Sequence, residues 1–186
     1  MYVRSPGPRD VPQVAALARV SRRLHRPWIY PPAITRAARG WIESAGPARQ
    51  RLLVCRRAND AIVGVVNLNE IVRGAFQSAY LGYYAFAPHA GQGLMTEGLG
   101  LALRHAFRRL GLHRVEANIQ PGNRASRALV RRLGFRQEGY SPRYLKIGGR
   151  WRDHERWALV REAWEASLPS GARRPAARRG ARRKSS

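Results

Sequence analysis

Residues 89–99 read HAGQGLMTEGL, and they place two glycines on either side of a glutamine directly before a helical pattern. A glycine loop that opens a helix offers backbone N–H groups at the positive end of the helix dipole, where an anion is stabilised. The side chains of 91–96 carry no charge, so the backbone amides would be the main anchor. The stretch predicts a phosphate-binding turn, and the alternative is a glycine turn that binds nothing.

The residues of this loop exclude two common nucleotide-binding motifs. A dinucleotide-binding fingerprint needs a third glycine three residues after Gly93, and position 96 is Thr. A Walker loop needs Gly-Lys-Ser/Thr, whereas Leu94 and Met95 follow Gly93 in this chain. The loop therefore binds another phosphate-bearing ligand or no ligand.

Hydrophobic spacing on both sides of the loop indicates an alternation of strands and helices. Asp10 is expected to cap a first helix, and a proline-broken loop is expected over 26–35. The remaining pattern predicts strands over 51–56, 61–68, 79–86, 113–119, 144–147 and 151–160, and helices over 94–110 and 124–133. This order predicts an α+β domain with a mixed sheet.

The charge of the chain is extreme, with 35 Lys and Arg against 11 Asp and Glu and a formal net charge of +24. Such an excess of positive charge favours binding to polyanions such as RNA, ribosomes or CoA-like ligands, and it says nothing about the fold. Residues 169–186 hold seven of the basic side chains, no acid and no large apolar side chain, which is typical of disorder. We expect a folded domain over 1–165 and a disordered basic tail over 166–186.

No apolar run approaches the roughly 18 residues of a membrane span, and the first ten residues lack the apolar core of a signal peptide. These features predict a cytoplasmic protein without membrane contact. No His and Cys cluster stands at metal-ligand spacing, so no metal is predicted.

Eight short stretches, in order along about residues 1–163, resemble the GNAT superfamily of N-acetyltransferases, and most closely its RimJ/RimL-like ribosomal-protein-alanine acetyltransferases. They are SRRLHRPW (21–28), FQSAYLGY (76–83), GQGLMTE (91–97), HRVEAN (113–118), NRAS (123–126), LGF (133–135), EGY (138–140) and GRWRDH (149–154). The resemblance implies the GNAT fold, an α/β sandwich whose mixed, mostly antiparallel sheet of about six to seven strands has a splay and about four flanking helices.

In that family the pyrophosphate of acetyl-CoA rests on the amides of the glycine loop, and the pantetheine arm lies in the splay. A backbone N–H near Ala85 and Phe86 would polarise the acetyl carbonyl. Asn123 would hydrogen-bond the arm and can also cap the helix that follows it. The resemblance thus implies contact between acetyl-CoA and Ala85, Phe86, Gly91, Gln92, Gly93, Leu94, Met95, Thr96 and Asn123.

Acetyl transfer to an amine needs a neutral amine and a proton for the departing thiolate. Glu116 matches the base of related alanine acetyltransferases, and Glu70 matches a base that acts through water in the RimL-like branch. Ser126 matches the RimL-like proton donor, whereas Val130 stands where another branch carries a Tyr. Each acid has pairing with a nearby arginine as its alternative, and Ser126 is also ordinary helix-start composition.

The expected acceptor is an N-terminal α-amine, because its pKa of about 7.7–8 leaves a useful neutral fraction, whereas that of Lys is about 10.4. The sequence thus predicts a monomeric or homodimeric enzyme that acetylates the N-terminal Ala or Ser of a ribosomal or other protein by direct attack in a ternary complex. The basic tail would contact the ribosome or RNA. Two alternatives stay open: a basic RNA- or ribosome-binding protein with an inactive or secondary acetyltransferase domain, and an acetyltransferase for small-molecule amines.

Overall fold

A computed structural model describes residues 1–169 of the chain, and one sheet of seven strands runs through this part. The strands are β1 (Tyr2–Arg4), β2 (Gln50–Cys55), β3 (Ile62–Val72), β4 (Ser78–Ala85), β5 (Arg114–Ile119), β6 (Arg136–Ile147) and β7 (Arg150–Val160). Their spatial order is β1-β2-β3-β4-β5-β7-β6. Neighbouring strands are antiparallel except for the central pair, β4 and β5, which is parallel.

The sheet forks between β4 and β5. The two strands pair only over Ser78–Tyr80 and Arg114–Glu116, and Tyr80 opposite Glu116 is the last pair. Beyond that pair β4 still follows β3, as far as Ala85 opposite Gly64, and β5 still follows β7. The predicted splay is therefore confirmed, and it leaves backbone groups of both central strands facing a gap.

Six helices cover the two faces of this sheet within residues 1–169: α1 (Val11–Val20), α2 (Arg22–His25), α3 (Thr35–Glu43), α4 (Leu94–Arg104), α5 (Arg124–Arg132) and α6 (Arg161–Ser167). α4 continues as a π-helical segment over His105–Arg109. Leu99 of α4, Val130 of α5 and Trp164 of α6 belong to the buried cluster on one face, and Val14 of α1 and Ile42 of α3 to that on the other. The protein is an α/β sandwich.

The predicted fold class and the predicted strands are confirmed, but the helix count rises from about four to six. α3 was not predicted because two arginines and a proline-rich approach obscure its short apolar stripe, in which Ala38 and Ile42 are buried. β1 was not predicted either, because it has only three residues and is identified by its pairing with β2. β6 begins at Arg136 rather than at 144, and a register shift between Ser141 and Leu145 interrupts its pairing with β7.

The carboxyl end of the expected domain also differs slightly from the sequence prediction. α6 continues to Ser167, so residues 166 and 167 extend the domain instead of starting the basic tail. The remainder of that predicted tail, 170–186, lies outside the described residues. Within 1–169, no helix has both the length and the apolar character that a membrane crossing requires.

Asp10 does not cap α1 as expected, because its carboxylate is held by residues before the helix. Oδ1 accepts a hydrogen bond from Arg4 Nη2 at 2.6 Å, and Oδ2 accepts from Arg4 Nη1 and from the Gly7 N–H, both at 2.7 Å. The hydrogen bonds from the Arg4 guanidinium lower the pKa of this buried carboxyl. The pair thus ties β1 to the start of α1.

We expect Asp10→Asn to lower the free energy of unfolding at pH 7 by about 2 kcal/mol, the range for hydrogen bonds to charged groups. Because the folded-state pKa lies below the unfolded value of about 3.9, this stabilisation is present above pH 4 and is lost as the pH falls through the folded value. Urea unfolding should therefore separate the two proteins at pH 7 and much less near pH 2. Asp60→Asn, at an exposed carboxyl that accepts from Tyr2 Oη at 3.0 Å, is the control; equal losses in both variants would contradict the prediction.

Candidate active site

The glycine loop presents backbone amides at the start of α4. Gly91 and Gly93 have φ of +76° and +73°, a region that favours glycine. Gly93 is the N-cap of α4 and, lacking a side chain, gives the first turn no capping acceptor. The Thr96 N–H donates to the Gly93 carbonyl at 2.9 Å. The first-turn amides of Leu94 and Met95 are thus left for an external acceptor.

A cavity of about 390 Å³ lies against this loop and extends along β4 toward α2 and α5. Eight of the residues predicted to form the site line it: Ala85, Gly91, Gly93, Leu94, Met95, Thr96, Asn123 and Ser126. Eleven further lining residues were not predicted, and His25, Tyr83 and Arg132 are among them. Arg132 extends from α5 toward the loop, and its Nη1 donates to Thr96 Oγ1 at 3.4 Å. The guanidinium brings a positive charge to an otherwise uncharged loop.

Phe86 and Gln92 are the two predicted cofactor contacts that do not line the cavity. The Phe86 ring is buried on the opposite face of the sheet, against His25 and Tyr84, and its N–H donates to the Val63 carbonyl at 2.8 Å. The Gln92 side chain is exposed, and its Nε2 donates to the Pro88 carbonyl at 3.3 Å.

The backbone of Ala85 faces the fork. Backbone N–H groups alternate in direction along a strand, and since the Phe86 N–H points to β3, that of Ala85 points to the gap. His25 Nε2 lies 2.7 Å from the Ala85 carbonyl oxygen, which can only accept, so Nε2 carries the proton. Burial lowers the pKa of His25 and favours this neutral ring. His25 thereby fixes the carbonyl of Ala85 and leaves its N–H directed into the gap.

Asn123 and Ser126 begin α5 at the other wall of the cavity. Asn123 Oδ1 accepts from the Ser126 N–H at 3.1 Å, which confirms the predicted N-cap. The Ser126 hydroxyl oxygen lies 2.5 Å from the Tyr83 hydroxyl oxygen. Tyr83 alternates with Leu81 and Ala85 toward this face of β4, and that period of two was the available signal, but its partner stands 43 residues away.

The two candidate bases lie outside the cavity lining, which contains no carboxylate among residues 1–169. Glu116 stands in the last pair before the fork, and its Oε1 accepts from Arg114 Nε at 2.8 Å. Glu70 lies at an irregularity of β3 with φ of +46°, is 59% exposed, and meets Arg49 Nη2 at 3.3 Å. The arginine pairing considered for each acid is thus present, and Glu116 alone stands at the fork.

Residues 1–169 hold no group of three or more His, Cys, Asp and Glu side chains arranged to bind a metal ion. The polar groups around the cavity are instead backbone amides, hydroxyls, imidazoles, the Asn123 carboxamide, the Trp28 indole and one guanidinium. Such a lining suits an anionic ligand with amide groups along its length.

The forked sheet and the glycine loop at a helix start agree with the family comparison. The model of the acetyltransferase (GNAT) domain family matches residues 1–136, and the chain belongs to this family. Among solved structures, RimJ of Mycobacterium smegmatis in complex with CoA-disulfide superimposes with a TM-score of 0.77 and 28% identity, over 86% of this chain and 81% of that one.

Two curated relatives are similar over a shorter region. The [ribosomal protein uS5]-alanine N-acetyltransferase of Escherichia coli is 46% identical over 103 residues, which are 55% of this chain and 53% of that protein. The probable N-acetyltransferase YjcK of Bacillus subtilis is 40% identical over 103 residues, 55% and 57% of the two chains. The chain spans about half the length of the curated relatives it matches.

Proposed function

We propose that this protein transfers the acetyl group of acetyl-CoA to the N-terminal α-amine of a protein, by direct attack within a ternary complex. The observation that carries the proposal is the fork between β4 and β5, which opens next to the uncapped first-turn amides of α4. An anionic end and an extended, amide-bearing arm are the two ligand features that such a site accommodates. Both belong to acetyl-CoA, which supplies an activated acetyl thioester.

The residues present fit this ligand. The amides of Leu94 and Met95, with the Arg132 guanidinium close by, would hold the pyrophosphate. The arm would pass along β4 toward Asn123, whose side chain is also the N-cap of α5. The N–H of Ala85, directed into the gap, would donate to the acetyl carbonyl oxygen and stabilise the negative charge that develops there.

The chemistry of the acceptor favours an α-amine over a lysine side chain. A neutral amine is required for attack, and the pKa of an α-amine, about 7.7–8, lies far closer to neutrality than that of Lys, about 10.4. A carboxylate at the fork is then a sufficient base, and Glu116 holds that position. The relative from Escherichia coli is named for an alanine of ribosomal protein uS5, so we propose an N-terminal Ala or Ser as the acceptor and a cytoplasmic location.

Release of the CoA thiol tests this function directly. Peptides that begin with Ala or Ser should release CoA from acetyl-CoA, whereas the same peptides with a blocked N-terminus should not. Polyamines and aminoglycosides are tested in parallel as small-amine acceptors. A chain with a net charge of +24 should repel these cations. If small amines are acetylated faster than every peptide with a free N-terminus, the acceptor is a small amine and the proposed acceptor is wrong. If the protein does not bind acetyl-CoA, the enzyme assignment is wrong.

The charge of the chain favours a second candidate, a basic RNA- or ribosome-binding protein in which acetyl transfer is absent or secondary. Aromatic side chains stand among arginines in 22–30 and 150–157, and such surfaces stack bases. An affinity for ribosomal RNA that falls steeply with salt, in a protein without acetyl transfer, would favour this candidate. If transfer is present and the RNA affinity disappears on deleting 169–186, the tail serves as a docking arm of the enzyme.

A further inference from the structure

Tyr83 and Ser126 join the two walls of the cavity. Tyr83 comes from β4 and Ser126 from the first turn of α5, and both line the cavity. The Tyr83 hydroxyl oxygen lies 2.5 Å from Ser126 Oγ and 3.3 Å from the Ser126 carbonyl oxygen. A hydroxyl pair therefore lies in the lining of the cavity in which the arm of acetyl-CoA would run.

Both members of the pair are fixed by their surroundings. The backbone of Ser126 is held by the hydrogen bond from its N–H to Asn123 Oδ1. The Tyr83 ring packs against the larger buried cluster of the protein. Burial raises the pKa of Tyr83 to about 12, so the phenol keeps its proton at neutral pH. Tyr83 thus keeps a proton that it can donate.

Either hydroxyl can donate in the 2.5 Å contact between Tyr83 and Ser126. A phenol has one proton to donate, and of the two oxygens of Ser126 the hydroxyl oxygen is nearer, at 2.5 Å against 3.3 Å. When Tyr83 donates to Ser126 Oγ, the serine proton is not used in that bond and is available to another acceptor in the cavity that Ser126 lines. In the opposite arrangement the serine proton lies in the bond to the Tyr83 oxygen, and the phenol proton can turn to the Ser126 carbonyl oxygen at 3.3 Å.

We propose that Tyr83 is a positioning residue that directs the hydroxyl proton of Ser126 toward the sulfur of the bound coenzyme. This inference rests on the proposed acetyl transfer. The amine nitrogen bonds to the acetyl carbon, and the C–S bond breaks with its electron pair on sulfur. Sulfur takes the proton of Ser126, the nitrogen loses one proton to its base, and solvent returns a proton to Ser126 Oγ. The proton count therefore balances.

Val130 shows why a phenol from β4 matters in this chain. One branch of the family that the sequence resembles carries a tyrosine proton donor on this helix, and Val130, which stands there, is fully buried in the core. The hydroxyl groups that face the cavity at this place come instead from Tyr83 and Ser126. The tyrosine thus enters from the opposite wall and acts through a serine.

The thiol pKa of bound CoA tests the role of Tyr83 without an acceptor or turnover. A donor aimed at sulfur stabilises the thiolate and lowers that pKa. We therefore expect the pKa, measured from the ultraviolet absorbance of the thiolate against CoA-free protein, to rise by about one in Tyr83→Phe, a tenfold loss of thiolate. Ser126→Ala should raise it similarly and the double variant no further, because the two hydroxyls act as one unit.

Two further variants separate positioning from general damage. Tyr2→Phe removes a phenolic hydroxyl that donates to Asp60, outside the cavity lining, and should leave the thiol pKa unchanged. Ser126→Thr keeps the hydroxyl and should retain the wild-type value. With an active peptide, Tyr83→Phe should lower kcat about tenfold with little change in the KM for acetyl-CoA.

An unchanged thiol pKa in Tyr83→Phe together with a raised one in Ser126→Ala would overturn the role of Tyr83. If the thiol pKa is unchanged in both Tyr83→Phe and Ser126→Ala, neither hydroxyl acts on the sulfur of the coenzyme. Either result is independent of the proposed function, which fails instead if no free N-terminus is acetylated by the wild-type protein. Tyr83→Phe removes a single oxygen, and its melting temperature and CoA affinity verify that the variant is folded.

Discussion

Replacing Gly91 and Gly93 together with valine is expected to raise the Kd for CoA about a hundredfold. Both residues have positive φ, and a β-branched side chain there costs about 1–2 kcal/mol per residue. The unliganded loop relieves that strain by leaving the conformation in which its amides face the ligand. Binding of CoA must then restore this conformation, and the strain with it. A tenfold change in affinity corresponds to about 1.4 kcal/mol, so the strain at the two substituted glycines accounts for the hundredfold rise in Kd. Isothermal titration with CoA measures the effect.

The matched control is Gly74→Val with Gly111→Val. These glycines also have positive φ, +66° and +67°, and, as at Gly91 and Gly93, a Cβ added to them would meet no atom of residues 1–169 within 4 Å. They carry the same backbone strain at places outside the cavity lining. The control pair should therefore lower stability and leave the Kd for CoA near the wild-type value. Equal weakening by both pairs would mean that loss of stability, and not loss of the amide cradle, explains the result.

We expect Glu116→Gln to lower kcat about a hundredfold, the scale of a lost general base. The amide keeps the shape of the side chain and an oxygen that can accept from Arg114 Nε, but it cannot take a proton from the attacking amine. The KM for acetyl-CoA should change little, because Glu116 does not line the cavity. Steady-state kinetics with a peptide that begins with Ala or Ser measures both constants.

Glu138→Gln is the matched control for this prediction. Glu138 shares Arg114 with Glu116 and accepts from its Nη1 at 3.1 Å, and these hydrogen bonds lower the pKa of Glu138. Its removal disturbs the same arginine without touching the fork. A similar fall in kcat for both variants would assign Glu116 a structural role. A large fall in Glu70→Gln, with Glu116→Gln near wild type, would transfer the base to Glu70.

The sequence was sufficient for the scaffold of the site because local patterns determine it. The glycine loop, the period of two in β5 and the Asn123 cap each involve neighbouring residues, and the structure has them where they were expected. The fork came from resemblance and not from periodicity. Strand spacing cannot show that β4 and β5 part after Tyr80, because that depends on what each strand pairs with on its other side.

The residues that the sequence missed depend on contacts between distant segments. His25 fixes the Ala85 carbonyl from 60 residues away, and Tyr83 meets Ser126 across 43 residues. Each stands in a segment whose local pattern is explained by burial alone. Phe86, by contrast, was predicted to contact the cofactor but does not line the cavity, because it is next to Ala85 in sequence and packs on the other face of the sheet. Membership of a strand predicts a site residue only together with its face.

The fork has a consequence for how this sheet meets other chains. A sheet with strands β1 and β6 at its margins has two outer edges, and unpaired backbone groups there can recruit a strand from any neighbour. The gap between β4 and β5 is a third, internal edge, closed on both sides by paired strands. Unpaired backbone that is an aggregation hazard at a margin is here enclosed between strands already paired on their other sides, where no strand of a neighbouring chain has the open edge of a margin to join.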